Sequence, residues 1–143
     1  MDPDVTFVPD SGNAVASVPR VAGRYEVGAL VGRGGGGQVH RAVDSFTGEV
    51  VALKLVRRDG RGTAAQLRRE LTALRLVDLP GVARLRDDGE HEGVVFLVLD
   101  WLGGGTFARF ADQPWEIWRE PALGLLEAVG RLHHLGIVHG DLK

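Results

Sequence analysis

The 143-residue sequence contains no cysteine. This absence excludes disulfide frameworks, zinc sites with thiolate ligands and cysteine nucleophiles, and it fits a reducing compartment. Long apolar runs are missing too, because the longest, Val94–Leu99, is strand-sized, whereas a membrane-spanning helix needs roughly 20 apolar residues. The first residues also lack the basic and apolar blocks of a signal peptide. We therefore expect a cytoplasmic chain without a membrane segment.

An excess of charge of one sign is absent as well. The formal net charge is -2, which provides no electrostatic basis for binding nucleic acid or an anionic membrane. His40, His91 and His134 do not show the spacing of metal ligands. We therefore expect no nucleic-acid partner and no metal ligands within the chain.

Glycine, by contrast, is abundant. The chain has 21 glycines, about twice ordinary usage, and they cluster at residues 32–37 and 103–105. Residues 1–22 contain prolines and no apolar period, which predicts a flexible leader before a folded domain over residues 23–143.

Apolar periodicity predicts the secondary structure of that domain. We expect five strands, at residues 25–31, 39–43, 49–56, 82–85 and 94–99. A helix is expected over residues 64–77, and a second from Pro121, which suits a first turn, to His134. Three strands, a helix, two strands and a helix predict the α+β class, with an antiparallel sheet carrying one helix before a helical region.

Two charged residues lie in apolar surroundings. Lys54 is in the middle of a predicted strand, where its neighbours Leu53 and Leu55 point to the opposite face. It could hold an anion, or it could be an ordinary exposed lysine. Glu70 falls within the apolar stripe of the first helix, where a buried carboxylate needs a partner. Lys54 is the candidate, and the alternative is a glutamate at the edge of the stripe that reaches solvent.

The first glycine cluster has the pattern Gly32-x-Gly34-x-x-Gly37-x-Val39 between two predicted strands. Glycines let backbone amides approach a phosphate without a clashing side chain. The same pattern opens a helix in dinucleotide-binding folds, but residues 38–43 here are typical of a strand. A glycine-rich hairpin without a ligand is the alternative.

These motifs, followed by His139-Gly140-Asp141-Leu142-Lys143, resemble in order and spacing the N-terminal portion of a eukaryotic-type (bacterial-like) serine/threonine protein kinase domain, ending in the catalytic loop. The resemblance implies a five-stranded N-lobe with one helix over about residues 23–99, a hinge over 100–105 and the start of a helical C-lobe over 106–143. It also implies an enzyme that uses ATP and Mg²⁺ to phosphorylate serine or threonine on a protein substrate.

The resemblance gives roles to individual residues. Lys54 is expected to contact the α- and β-phosphates and to pair with Glu70. Asp141 is expected to accept the proton of the substrate hydroxyl, and Lys143 to steady the γ-phosphate. The implied ATP-binding positions are Gly32, Gly34, Gly37, Val39, Ala52, Lys54, Asp100 and Leu102.

Two departures from the family pattern bear on activity. Gly140 stands where many members have an arginine that pairs with a phosphorylated activation loop, so we expect no activation through that contact. The family's metal ligands fall beyond Lys143, so residues 1–143 alone are expected to be inactive. A non-catalytic, pseudokinase-like or nucleotide-binding interaction module is the alternative function.

Overall fold

The structure is a computed structural model that describes residues 19–34, 37–57, 63–140 and 142, without the side chains of residues 57, 63–68 and 70. Within these ranges the chain forms six strands, two α-helices and one short 3-10 helix. The strands are β1 (Arg20–Val21), β2 (Tyr25–Gly34), β3 (Gly37–Asp44), β4 (Val50–Arg57), β5 (Leu85–His91) and β6 (Val94–Asp100). The α-helices are α1 (Thr63–Leu76) and α2 (Trp115–His134), and the 3-10 helix is Phe107–Phe110.

The strands form one antiparallel sheet in the order β1-β2-β3-β4-β6-β5. The first four strands follow one another in the chain, and α1 then carries the chain from β4 to the far edge. Strands β5 and β6 form a hairpin whose turn residues, Glu92 and Gly93, have φ of 50° and 76°. Two positive φ values are typical of the tight turn that matches the twist of paired strands.

Alternation of side chains gives the sheet two apolar faces. The larger core lies on one face, where the buried residues are Val21, Tyr25, Ala42, Val51, Leu53, Phe96 and Val98. The other face buries Val56 and Leu97, and Leu71 and Leu74 of α1 pack against them. Helix α1 therefore packs on this face of the sheet through Leu71 and Leu74. This arrangement confirms the predicted fold class, an antiparallel sheet with one helix.

An ion-pair network links the β1–β2 side of the sheet to β5 at the far edge. Arg24 donates two hydrogen bonds to Asp44, Nε to Oδ1 at 2.8 Å and Nη2 to Oδ2 at 2.7 Å, and its Nη1 lies 3.6 Å from Asp87 of β5. The Tyr25 hydroxyl donates to the same Asp87 carboxylate. Because β2 and β5 are separated by three strands in the sheet, these contacts require the sheet to curl.

One strand and the end of the leader were misplaced. Residues 82–85 were expected to form the fourth strand, but the strand is Leu85–His91. Its polar residues belong to a strand because β6 pairs with them, from Leu85 opposite Leu99 to His91 opposite Val94. The predicted leader over residues 1–22 also needs correction, because Arg20–Val21 pairs with β2 as an extra strand. Residues 1–18 of that leader lie outside the described residues.

The start of the second helix was also misplaced. Helix α2 begins at Trp115, so Pro121 lies inside it and not in its first turn. Pro114 precedes the helix with extended backbone angles, and Trp115 and Trp118 pack edge to face with ring centroids 4.5 Å apart. This aromatic contact stabilises a first turn six residues before Pro121.

Candidate functional site

The glycine motif forms the hairpin between β2 and β3. Gly34 lies opposite Gly37, and Gly32 lies opposite Val39; residues 35 and 36 lie outside the described part of the chain. A Cβ atom added at Gly32 or Gly34 would meet nothing within 4 Å. The backbone on the β2 side of the hairpin therefore borders open space, which a ligand could enter closely.

Gly37 is glycine for a different reason. Its φ is 111°, and an added Cβ would lie 2.2 Å from the carbonyl oxygen of Leu55 on β4. No side chain fits at that separation. The close approach holds the β3 side of the hairpin against β4, the strand that carries Lys54.

Lys54 lies near the middle of the sheet and is half-buried. It stands opposite Val39 of β3 and Leu97 of β6. Directly opposed residues of antiparallel strands share a face, and Ala52, two residues along β4, shares it too. Since Leu97 belongs to the cluster packed against α1, the residues Val39, Ala52 and Lys54 lie on the α1 side of the sheet. The structure thus brings three of the sequence-predicted site residues onto one surface.

The remaining catalytic candidates are located less completely. Glu70 belongs to α1 and comes one turn before Leu74, which packs on the sheet, but its side chain is not described. Asp141 and Lys143 lie outside the described residues. The Lys54–Glu70 pair and the catalytic roles of Asp141 and Lys143 therefore stay predictions.

The segment predicted as a hinge, residues 100–105, begins with the last residue of β6. Asp100 ends the strand, and its amide donates to the carbonyl of Arg84 at 3.0 Å. Its Oδ2 accepts from the amide of Arg84 at 3.2 Å and from Arg84 Nε at 3.0 Å, while Oδ1 lies 3.2 Å from Arg86 Nε. Leu102, two residues on, is 66% exposed.

The ionisation of Asp100 reflects two opposed effects. Desolvation by itself favours the neutral acid and raises the pKa, but the hydrogen bonds from Arg84 and the charge of Arg86 outweigh it, so the pKa of Asp100 lies below its ordinary value. The carboxylate is therefore a fixed negative charge at neutral pH. Sequence reasoning missed both arginines, because their pairing with a residue 14 to 16 positions away depends on the register of β5 with β6. The arginines flanking Leu85 were the only signal.

The described residues contain no group of three or more histidine, aspartate or glutamate side chains that could hold a metal ion. None of the helices described is both long and apolar enough to cross a membrane.

Comparison with known proteins adds a family context to this geometry. The family model "Protein kinase domain" matches residues 25–143. Over 128 residues the chain is 35% identical to a putative CBL-interacting protein kinase 27 of Oryza sativa subsp. japonica, covering 85% of this chain and 32% of that protein. Over 137 residues it is 31% identical to a probable serine/threonine-protein kinase PknB of Bifidobacterium longum, covering 85% and 20%.

A third relative is the CBL-interacting serine/threonine-protein kinase 16 of Arabidopsis thaliana. The chain is 30% identical to it over 128 residues, covering 84% of this chain and 27% of that protein. The chain therefore spans between about a fifth and a third of the length of the curated relatives it matches.

Proposed function

The chain belongs to the protein kinase family, and from that premise we propose that its site binds ATP and that the protein phosphorylates serine or threonine hydroxyls of protein substrates. The observation that carries this proposal is that three features lie on neighbouring strands of one sheet: the open glycine hairpin, the central Lys54 and the anchored strand end at Asp100. A cytoplasmic location belongs to the same proposal and is supported by the lack of cysteine.

The phosphate end of the nucleotide would lie under the glycine hairpin. Open space over Gly32 and Gly34 lets their backbone come close to phosphate oxygens, and amide groups in such a loop donate hydrogen bonds to them. Lys54, on the next strand but one from Gly32, would supply the positive charge for the α- and β-phosphates. Glu70 would orient the Lys54 ammonium group from α1.

The adenine end would lie across β3, β4 and the end of β6. Val39 and Ala52 share the α1 side of the sheet and present small apolar side chains that can pack on a flat ring. The main chain of Asp100 and Leu102 would bond the edge of the base. The Asp100 amide already donates to the Arg84 carbonyl, so Asp100 would contact the base through its own carbonyl oxygen.

Phosphoryl transfer would depend on the residues after Gly140. Asp141 would accept the proton from the attacking hydroxyl, and Lys143 would balance negative charge on the γ-phosphate. When bound, Mg²⁺ would supply further charge neutralisation on the phosphates, and we expect its ligands beyond Lys143.

The test is a radiolabelled-ATP assay on the full-length protein with a generic serine/threonine substrate, together with calorimetric measurement of ATP binding. Lys54→Met and Asp141→Asn should each lower the transfer rate by at least about 100-fold, the usual share of a positioned charge or general base. Asp141→Asn should leave ATP affinity unchanged. Arg75→Met, which removes an exposed cation bonded to Asp88, is the matched control and should behave as wild type.

The outcomes separate the two candidate functions. Wild-type protein that binds ATP and transfers no phosphate would be the nucleotide-binding interaction module. Protein that neither binds ATP nor transfers phosphate would show that both functions are wrong.

A further inference from the structure

A chain of four charged side chains crosses the end of the sheet where the predicted hinge begins. Glu49, just before β4, lies 2.9 Å from Arg86. Arg86 in turn lies 3.2 Å from Oδ1 of Asp100, and Arg84 bonds Oδ2 of the same carboxylate at 3.0 Å. The two oxygens of Asp100 are therefore held by different arginines, which fixes the rotation of the carboxylate as well as its position.

The main chain at Asp100 is restrained on both sides as well. Its amide donates to the Arg84 carbonyl at 3.0 Å, and Val51 of β4 is its strand partner on the other side. Beyond it, Leu102 and residues 103–105, all glycine, are exposed, and Gly105 has φ of 77°. Asp100 is thus the last residue of β6 that the sheet restrains before a run of three glycines, in which the Gly104 carbonyl accepts a hydrogen bond from Arg109.

Stability alone is a weak explanation for the outer contacts of this network. The Arg84 and Glu49 side chains are each 55% exposed, whereas those of Arg86 and Asp100 are 31% and 24% exposed, and exposed ion pairs contribute little to folding. What the network does restrict is the orientation of the peptide groups around Asp100. Those groups are the ones that would meet the base of a bound nucleotide.

We propose that Arg84 and Arg86 are positioning residues for nucleotide binding, which hold Asp100 so that its carbonyl and the Leu102 amide are aligned with the edge of the base. This inference rests on the proposed function, because it concerns the same ATP site. The arginines do not touch the nucleotide. They act on affinity by limiting the conformations of the segment that does.

The structure also provides a matched control, an arginine–aspartate pair whose aspartate lies on β5. Arg75 of α1 makes a comparable bidentate contact with Asp88 of β5, with both Asp88 oxygens 2.8 Å from its Nη2. Asp88 pairs with Leu97 in the middle of β6, and not at the hinge. Loss of this pair removes an arginine–aspartate contact of the same kind without touching Asp100.

The experiment measures ATP affinity and melting temperature for full-length wild type, Arg84→Met, Arg86→Met and the control Arg75→Met. We expect Arg84→Met to weaken ATP binding about tenfold, the effect of one misaligned hydrogen bond, with the KM for ATP rising and kcat at saturating ATP unchanged. The inhibition constant of tripolyphosphate, which has no base, should stay the same. The melting temperature should move no further than in Arg75→Met.

Each outcome decides a different point. If wild type does not bind ATP, the proposed function fails and this inference fails with it. If wild type binds ATP and both hinge-side variants match it, the positioning role alone is wrong. A loss of tripolyphosphate binding equal to the loss of ATP binding would also overturn it, since the defect would then not lie at the base. Should Arg84→Met fail to fold, Arg86→Met and the isosteric Asp100→Asn provide the same test.

Discussion

Replacement of Asp44 tests how the curled sheet is closed. The Asp44 side chain is buried, with 4% of the residue exposed, and it accepts both Arg24 bonds and the amide of Phe46 at 3.0 Å. Removing one partner of a buried ion pair costs about 3–5 kcal/mol. Because the Arg24 side chain is 32% exposed and water can reach it, we expect Asp44→Ala to lower the free energy of unfolding by about 3 kcal/mol, the low end of that range.

The same carboxylate should make stability depend on pH. The Arg24 hydrogen bond is the main reason that the pKa of Asp44 in the folded protein lies well below its ordinary value. A carboxyl with a lowered folded pKa contributes stability above its unfolded pKa, about 3.9, and loses it as pH falls toward the folded pKa. The wild-type advantage over Asp44→Asn should therefore be constant between pH 7 and pH 5 and shrink below about pH 4.

Urea denaturation followed by intrinsic fluorescence, at several pH values from 7 to 3, measures both quantities. Asp88→Asn is the control, because its ion pair with Arg75 is more exposed and its removal should cost less than about 1 kcal/mol. A cost of Asp44→Ala no greater than that of the control would contradict the buried ion pair. A stability difference between wild type and Asp44→Asn that is the same at pH 3 as at pH 7 would contradict the electrostatic origin of the pH dependence.

The glycines and one proline give three further predictions. Gly32→Ala should leave the melting temperature unchanged or slightly raised, because the added Cβ meets nothing and glycine weakens a strand, yet ATP affinity should fall in calorimetry. Gly89→Ala should lower the melting temperature, because its Cβ would lie 2.8 Å from the buried Phe96 ring; an unchanged value would mean that the ring moves freely. Pro121→Ala should raise the melting temperature, because a proline inside a helix removes a hydrogen bond. A lower melting temperature would contradict this prediction.

The parts of the fold that were predictable have local signals. Strands β4 and β6 are apolar throughout most of their length. The bounds of β4, Val50–Arg57, differ from expectation by one residue at each end, and those of β6, Val94–Asp100, by one residue at the C-terminal end only. Strand β5 has no such signal. Its residues Asp87, Asp88 and Glu90 are polar, and they form a strand because β6 and a tight turn at Glu92 impose it.

The candidate site also has a part that was predictable from the sequence and a part that was not. The resemblance carried by the order of the motifs implied that the glycine hairpin, Val39 and Lys54 belong to one site, because each motif is continuous in sequence. The support of Asp100 by Arg84 and Arg86 was not predictable, because it joins residues from two strands whose register is set by tertiary pairing. A sequence shows which residues face a ligand more readily than it shows which residues hold them there.

The glycines of the hairpin provide a physical argument for a ligand. Gly37 is required by the fold alone, since the carbonyl of Leu55 leaves no room for a side chain. Gly32 and Gly34 are not, because both border open space and neither has a positive φ. Glycine at such positions costs conformational entropy without a return in packing. The fold accounts for Gly37, so the cost at Gly32 and Gly34 needs another reason, and close approach of a phosphate to the backbone is one that the neighbouring Lys54 supports.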